Sequence, residues 1–382
     1  MTLQLMANIK FNIPFQSGNE PKYIQEVISS GVFAGNGPFT KKCQSQLQSI
    51  LGAPHVLLTH SCTAALEMSA IVLDIVPGDE VIVPSYTFVS TASAFLRAGA
   101  VIKFCEIDPD TLTVDLNHIE SLINSRTRAI APIHYAVAAA DMQALTKLAN
   151  AHNVVIVEDA AQGLGAKLNG RALGTWAPLS CLSFHETKNL HCGLGGALVV
   201  NDKTYFDRAE DIWERGTDRG KMFRGLVDKY SWVELGSSFY PSELQAAFLH
   251  AQLEAYELNL KIRRSLWNQY FEEFNAIDCP FRIQKLRAGT EHNGHAFVLI
   301  FPSRSSGDSF RDFLKKHGID SYIGYVPLHS SKMGLKLGYK RDSLPITEDV
   351  AFRVVRLPLH ASMKAADVGS VLEATSKWIK TQ

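Results

Sequence analysis

The chain has no excess of either charge. Its 38 basic residues are matched by 38 acidic ones, so the formal net charge is zero. That balance excludes wholesale attraction to nucleic acid or to an anionic membrane surface. Long apolar runs are missing too, and none approaches the roughly 20 residues needed to span a bilayer. Met1 to Lys10 lacks a basic cluster followed by an apolar core, so no signal peptide is expected. The six cysteines (Cys43, Cys62, Cys105, Cys181, Cys192, Cys279) are scattered, with no Cys-x-x-Cys pair and no histidine spacing for zinc. Several lie in apolar runs and read as reduced core thiols of a cytoplasmic protein, and no metal is expected. There is no internal repeat, no low-complexity tract and no Walker lysine motif. Gly193-Leu194-Gly195-Gly196 and Gly163-Leu164-Gly165 have neither the full spacing nor the downstream acid of a dinucleotide loop.

What is present is the material of a large α/β enzyme. The 382 residues, 46% of them hydrophobic and 20% charged, are enough for two or three domains. Strand-like runs at His55 to Thr59, Glu80 to Val83, Val101 to Glu106, Arg128 to Ile133 and Val154 to Glu158 alternate with helical patterns. Those patterns include Glu20 to Ser30, Phe39 to Leu51, a helix starting near Thr63, Thr87 to Ala98, Leu116 to Ile123 and Met142 to His152. The alternation argues for a mostly parallel sheet covered on both faces. Lys203 to Arg215 reads as a helix, and Pro241 to about Phe274 as one or two long ones that lead into a smaller α+β layer. That layer would hold a strand at Ala296 to Phe301, a helix at Asp308 to His317, a strand at Ser321 to Ile323 and a last helix at Ala365 to Ile379.

Two stretches carry chemistry. In the first, the apolar runs Leu179 to Leu182 and Ala197 to Val200 flank Ser183-Phe184-His185-Glu186-Thr187-Lys188-Asn189 and a glycine-rich exit. Alone, Lys188 would be one more solvated lysine. Partly desolvated, it would have a lowered pKa, and its neutral amine could form a Schiff base. In the second, Val154 to Asp159 is an apolar strand ending in an acid. Ligands of open α/β sheets sit beyond the carboxyl ends of the strands, where Asp159 would fall. It could be an ordinary helix cap, or it could pair with the ring nitrogen of pyridoxal phosphate and keep it protonated. Lysine and acid would play complementary parts with that one cofactor. His60-Ser61-Cys62 runs into a helix whose free amides suit a phosphate. His134 and Tyr135 follow another strand on the same rim.

These phrases, with Gly35-Asn36-Gly37, Ser61 to Met68, Pro84 to Thr91 and Ser242 to Ala247, make the chain resemble the DegT/DnrJ/EryC/StrS family of sugar aminotransferases from about Ile13 onward. The resemblance implies the pyridoxal phosphate-dependent transferase fold type I (aspartate aminotransferase-like). It would comprise a large α/β domain over 12–250 and a small α+β domain over 251–382. It implies Thr63, the Ala64 amide and Ser183 at the cofactor phosphate, Phe88 over the ring, Gln162 near the ring hydroxyl, and Lys188 and Asp159 as the catalytic pair. Ser238 stands where many members have an asparagine that reaches the partner subunit's phosphate, so a homodimer with shared sites is expected. Arg219, Lys221 and Arg224, in a basic glycine-rich loop, would meet a diphosphate. Tyr86, His134, Tyr135 and His329 would bind sugar hydroxyls.

Within the family the likeness is strongest to enzymes that aminate dTDP-4-keto-6-deoxyglucose, with glutamate as donor, for enterobacterial common antigen. Amination at C3 and a non-catalytic sensor or scaffold of the same fold are the alternatives. Besides Ser238, two positions depart from the pattern. Leu194 replaces a carboxylate in the glycine-rich exit. Val137 stands where close relatives have glycine, adding bulk and disfavouring positive φ, which puts substrate geometry in doubt.

Overall fold

The architecture is that of a computed structural model, which describes residues 8–381. Its first half lays down helices α1 (Glu20–Ser30), α2 (Pro38–Leu51), α3 (Cys62–Val72), α4 (Val89–Arg97), α5 (Leu116–Leu122) and α6 (Met142–Ala151). Between them run β1 (His55–Thr59), β2 (Glu80–Pro84), β3 (Val101–Cys105), β4 (Thr127–Ile130) and β5 (Val155–Asp159). Two short strands, β6 (Lys167–Leu168) and β7 (Arg171–Ala172), precede β8 (Leu179–Ser183) and β9 (Gly196–Val200). The main sheet has seven strands in the order β1-β9-β8-β5-β4-β2-β3. All run parallel except β9, which is antiparallel to both β8 and β1.

Alternate residues of the strands face different helices. Val81, Val83, Val157 and Leu198 pack with α3, α4 and the later helix α7 (Phe206–Trp213). Ile82, Ile130 and Ile156 pack with α5 and α6, while Leu58, Leu182 and Val199 pack with α1 and α2. Burial on both faces is why these strands read as unbroken apolar runs rather than alternating ones.

After α8 (Arg219–Phe223) come α9 (Glu243–Glu254) and α10 (Tyr256–Asn275). The division expected at 250/251 falls inside α9, which still packs on α1 and α2. The break comes at Ala255, where helical periodicity continues on both sides and leaves no mark in the sequence. The small layer contains β10 (Arg282–Ile283), β12 (Phe297–Ile300), β13 (Tyr322–Ile323) and β14 (Val354–Leu357) in the order β10-β12-β14-β13. Helices α11 (Arg304–Lys316) and α14 (Ala365–Ile379) pack on it around Trp267, Tyr270, Phe310 and Trp378. Helix α11 starts ahead of the expected Asp308 because the Ser303 side chain caps it. Strand β14 and the helices α12 (Lys332–Lys336) and α13 (Pro345–Ala351) were not among the expected elements. Strand β11 (Thr290–Glu291) pairs with β6 and ties the small layer back to the large one. Among the described residues, no helix is long and apolar enough to cross a membrane.

Candidate active site

Lys188 sits at the tip of the β8–β9 hairpin. The hairpin is held by Phe184 N–H to the Gly195 carbonyl (2.8 Å), Glu186 N–H to that of Gly193 (2.9 Å) and Cys192 N–H to that of Phe184 (3.0 Å). Asn189, next in the chain, is fixed from outside the hairpin. Its carbonyl accepts from Asn259 Nδ2 on α10 (2.9 Å), and its own Nδ2 donates to the Asn293 carbonyl (3.1 Å). Burial lowers the Lys188 pKa. The nearby Arg356 charge pushes the same way, against Asp159, which favours the ammonium.

Asp159 ends β5 on the same wall, as the apolar run requires. Its Oδ2 accepts from Thr91 Oγ1 (2.7 Å) and its Oδ1 from the Ala161 amide (3.1 Å). Thr91 is in turn joined to Thr87 (2.8 Å). Burial raises the Asp159 pKa, against those hydrogen bonds and Lys188. Behind it, the fully buried Glu158 accepts from His134 Nε2 (2.8 Å), Ser180 Oγ (2.9 Å) and the amides of Gly174 (2.5 Å), Trp176 (2.9 Å) and Ala177 (3.3 Å). Burial would raise this acid's pKa, but His134 and the other donors leave it lowered. His134 Nδ1 accepts from the Ala140 amide (3.1 Å). Both of its ring nitrogens are therefore engaged within the protein.

A second wall is the N-terminus of α3, which follows β1. Ser61 Oγ caps it by accepting from the Ala64 amide (3.1 Å), so the amide expected to meet a phosphate is already engaged. The amides of Cys62 and Thr63, ahead of it in the first turn, make no hydrogen bond within the described residues and carry the positive end of the helix dipole. The backbone of β9 closes in from below. A Cβ on Gly196 would lie 2.3 Å from the Cys62 nitrogen.

These walls enclose a cavity of about 560 Å³, bordered by Thr63, Phe88, His134, Asp159, Gln162, Ser183, Lys188 and Leu194. Phe88 caps α4 and is 57% exposed at the mouth. Gln162 accepts from the Ala136 amide (2.6 Å) and donates to Tyr325 Oη (3.0 Å). The residues suit pyridoxal phosphate: open amides at a helix N-terminus for its phosphate, a carboxylate facing the cavity, and a lysine whose amine burial favours as neutral.

Several expected residues do not border this cavity. Tyr86 and Tyr135 are buried with Val298 and Val354 between the two layers, joined through their hydroxyls (3.1 Å). Their aromatic bulk serves the layer contact. His329 is fully buried between Ser85 Oγ (2.7 Å) and the Arg341 carbonyl (3.2 Å). Ser238 is exposed elsewhere. Arg219 and Arg224 border a second cavity beside α2 and α7. Lys221 is paired with Asp211 (2.6 Å) and Arg224 with Glu210 (2.7 Å). Val137 lies in the small-layer core, and the positive φ falls on Ala136 (55°).

Sequence reasoning missed Tyr325, Arg263, His295 and Arg356, all on the cavity wall. Only Arg356 left a signal, as one charge inside the apolar run Val354 to Leu357.

The sequence pattern of the DegT/DnrJ/EryC1/StrS aminotransferase family matches residues 15–376. A pleiotropic regulatory protein of Geobacillus stearothermophilus is 30% identical over 94% of this chain and 94% of its own. GDP-perosamine synthase of Vibrio cholerae is 28% identical, over 90% of this chain and 92% of its own. Among solved structures, the aminotransferase TlmJ from Streptoalloteichus hindustanus superposes with a TM-score of 0.88 at 27% identity. That match covers 98% of this chain and 99% of TlmJ.

Proposed function

Since the chain belongs to the DegT/DnrJ/EryC1/StrS aminotransferase family and is a pyridoxal phosphate-dependent sugar aminotransferase, we propose that it converts dTDP-4-keto-6-deoxy-D-glucose to dTDP-4-amino-4,6-dideoxy-D-galactose with L-glutamate as donor. The observation that carries the catalytic reading is Lys188 and Asp159 on one cavity wall with the N-terminus of α3. The choice of sugar rests on the sequence likeness. The relative named GDP-perosamine synthase supports a nucleotide sugar as acceptor.

Bound, the cofactor supplies a conjugated ring that takes up electrons released at the substrate carbon and carries the amino group from donor to acceptor. Lys188 Nζ holds it and, when free, takes and returns a proton at the reacting carbon. Burial, by favouring the neutral amine, equips it for that work. Asp159, with its carboxylate aimed by Thr91 and the Ala161 amide, would face the ring nitrogen. The Cys62 and Thr63 amides and Ser183 would bind the phosphate. Phe88 would cover the ring and Gln162 would stand near its hydroxyl.

The working unit in this reading is a homodimer in the cytoplasm. Ser238 and the Arg219 to Arg224 loop would complete the partner's site. Supporting it, Phe223, Leu226, Trp232 and Leu235 are 67%, 67%, 79% and 64% exposed around that loop, a concentration of apolar surface that favours a partner. The test is incubation with glutamate and separate 3-keto and 4-keto dTDP sugars, with products read by NMR. Amination of the 4-keto sugar to the galacto product is expected. Amination of only the 3-keto sugar would overturn the regiochemistry.

A further inference from the structure

The segment from Ile9 to Phe15 joins the small layer to the large one along the border of the Lys188 cavity. Its first residue is built into the small layer. Ile9 is 7% exposed and packs with Phe310, Leu314 and Ile319. Its N–H donates to the Gly318 carbonyl (2.9 Å) and its carbonyl accepts from the Asp320 amide (2.9 Å), forming a parallel bridge to Ile319. The last residue is fastened to the large layer. The Phe15 carbonyl accepts from His191 Nε2 (2.7 Å), at the exit of the Lys188 hairpin, and from Gln252 Nε2 (2.9 Å) on α9. The segment is thus a strap tied at both ends. The family pattern starts only at residue 15, so the part of the strap before Phe15 lies outside it.

Between the two ties, Phe11 and Asn12 border the cavity. The Phe11 amide donates to Asp320 Oδ2 (3.4 Å). Its ring is tilted against Tyr322, with centroids 4.7 Å apart, and the Arg356 guanidinium lies 5.1 Å from its centre. A ring gripped from two sides, on a backbone bonded to its neighbour, fixes where the next side chain starts.

That next side chain is Asn12. Its one hydrogen bond among the described residues is to the Glu186 carbonyl (3.5 Å), on the hairpin two residues before Lys188. A carbonyl can only accept, so the atom of Asn12 that faces it is Nδ2. Oδ1 and the second N–H are left without a partner among the described residues. The strap therefore holds an acceptor and a donor, side by side and uncharged, at the border of the cavity.

Resting on the sugar aminotransferase reading above, we propose that Asn12 is a specificity-determining contact to a ring hydroxyl of the acceptor sugar, and that Phe11 is its positioning residue. Chemistry chooses between the two substrates that visit the cavity. An amino donor presents charged groups, carboxylate and ammonium, at its reacting carbon. A sugar presents neutral hydroxyls, each both donor and acceptor, which a carboxamide matches with its own pair. Asn12 also touches the hairpin that carries the reactive amine, so the hydroxyl it meets belongs to the sugar and not to the distant nucleoside.

The experiment titrates the cofactor-loaded protein by calorimetry with two unreactive probes. One is dTDP-6-deoxy-D-galactose, with a hydroxyl where the proposed product has its amine, and the other is dTDP. Asn12→Ala should weaken the sugar probe about 3- to 10-fold and leave dTDP unchanged. It should also leave unchanged the glutamate concentration that half-completes the change in cofactor absorbance. Phe11→Ala should weaken the sugar probe by a similar factor, and the double variant no further, because both changes remove one contact. Four results would overturn the inference: sugar probe and dTDP bound equally by the unaltered protein, no effect of Asn12→Ala, equal loss of both probes, or fully additive losses in the double variant. The parent reading is tested apart, by incubating the unaltered protein with glutamate and the 4-keto sugar. If no amination follows, that reading falls, while the titrations still decide whether the strap holds a sugar.

Discussion

Two sets of cations in this chain look alike in composition and differ in their surroundings. Lys221 and Arg224 stand in a visibly basic loop, yet each meets an acid of α7, Asp211 and Glu210. Arg208, on the same helix, meets Asp74 and Glu234. Lys188, Arg263 and Arg356 are far apart in sequence, share one cavity and have no carboxylate within 4.0 Å among the described residues. Within a single chain the paired loop cations Lys221 and Arg224 are therefore electrically quiet and the cavity cations are not. Exposed pairs of the first kind contribute roughly 0–1 kcal/mol each and are screened by salt. Unpaired cations behind low-dielectric walls keep their field and draw anionic substrates inward. A run of basic residues in a sequence shows where charge is attached, and the folded surroundings decide where it acts.

Variants that delete cations one at a time test this contrast. The largest effect belongs to Lys188→Ala, which should lower turnover by about a thousandfold or more. Borohydride reduction of the unaltered protein followed by peptide mapping should place the cofactor on Lys188, and label on another lysine would contradict the assignment. Next is Asp159, the acid that borders the cavity. Asp159→Asn should retain cofactor yet lose about a hundredfold in turnover, because the ring nitrogen loses its partner. Near-normal turnover would show that the carboxylate is dispensable.

A smaller effect follows from the lowered Lys188 pKa. Without cofactor, the unfolded chain holds the lysine proton up to its ordinary value of 10.5, while the folded chain releases it earlier. Below the folded pKa the buried ammonium destabilises the fold by its full amount, and the penalty fades as pH rises toward 10.5. Lys188→Met should therefore melt above the unaltered apoprotein at neutral pH, with the gap closing in alkali. A gap independent of pH would assign it to packing alone. The smallest effect is expected from Arg224→Ala, less than about 1 kcal/mol by urea unfolding of the single subunit. A larger loss would remove the contrast between loop and cavity.

Much of the large layer was legible because its strands are buried on both faces and three of its helices, α3, α5 and α6, are capped by Ser61, Asp115 and Asp141. Glu20 to Ser30 and His55 to Thr59 formed as read. Asp159 was legible for a related reason, since a polar residue that ends an apolar strand must emerge at the sheet's carboxyl edge, and the segment that carries Lys188 leaves the apolar strand β8 at that same edge. Tyr86 and Tyr135 were assigned to a polar rim from their hydroxyls, but the two hydroxyls satisfy each other and the rings fill the contact between layers. The small-layer wall was hidden because Arg263 and His295 reach the cavity only after α10 and β12 have packed. Nothing local in their neighbours announces that meeting. Gly37 shows a motif whose reason is tertiary. A Cβ there would lie 2.6 Å from the Glu243 carboxyl carbon, and that carboxylate caps α2 through the Phe39 and Thr40 amides. Two phrases of the sequence, some two hundred residues apart, are thus one joint.

Asn189 makes Lys188 part of a mechanical linkage. The asparagine follows the lysine directly and is held by Asn259, Asn293 and His295, all beyond the break at Ala255. A tilt of the small layer therefore pulls on the residue beside the reactive amine, and a displaced lysine tip pulls on the wall that carries Arg356. Stiffness is shared across that joint. Amide exchange at the hairpin tip should then follow the breathing of the small layer, although the hairpin itself grows out of the sheet.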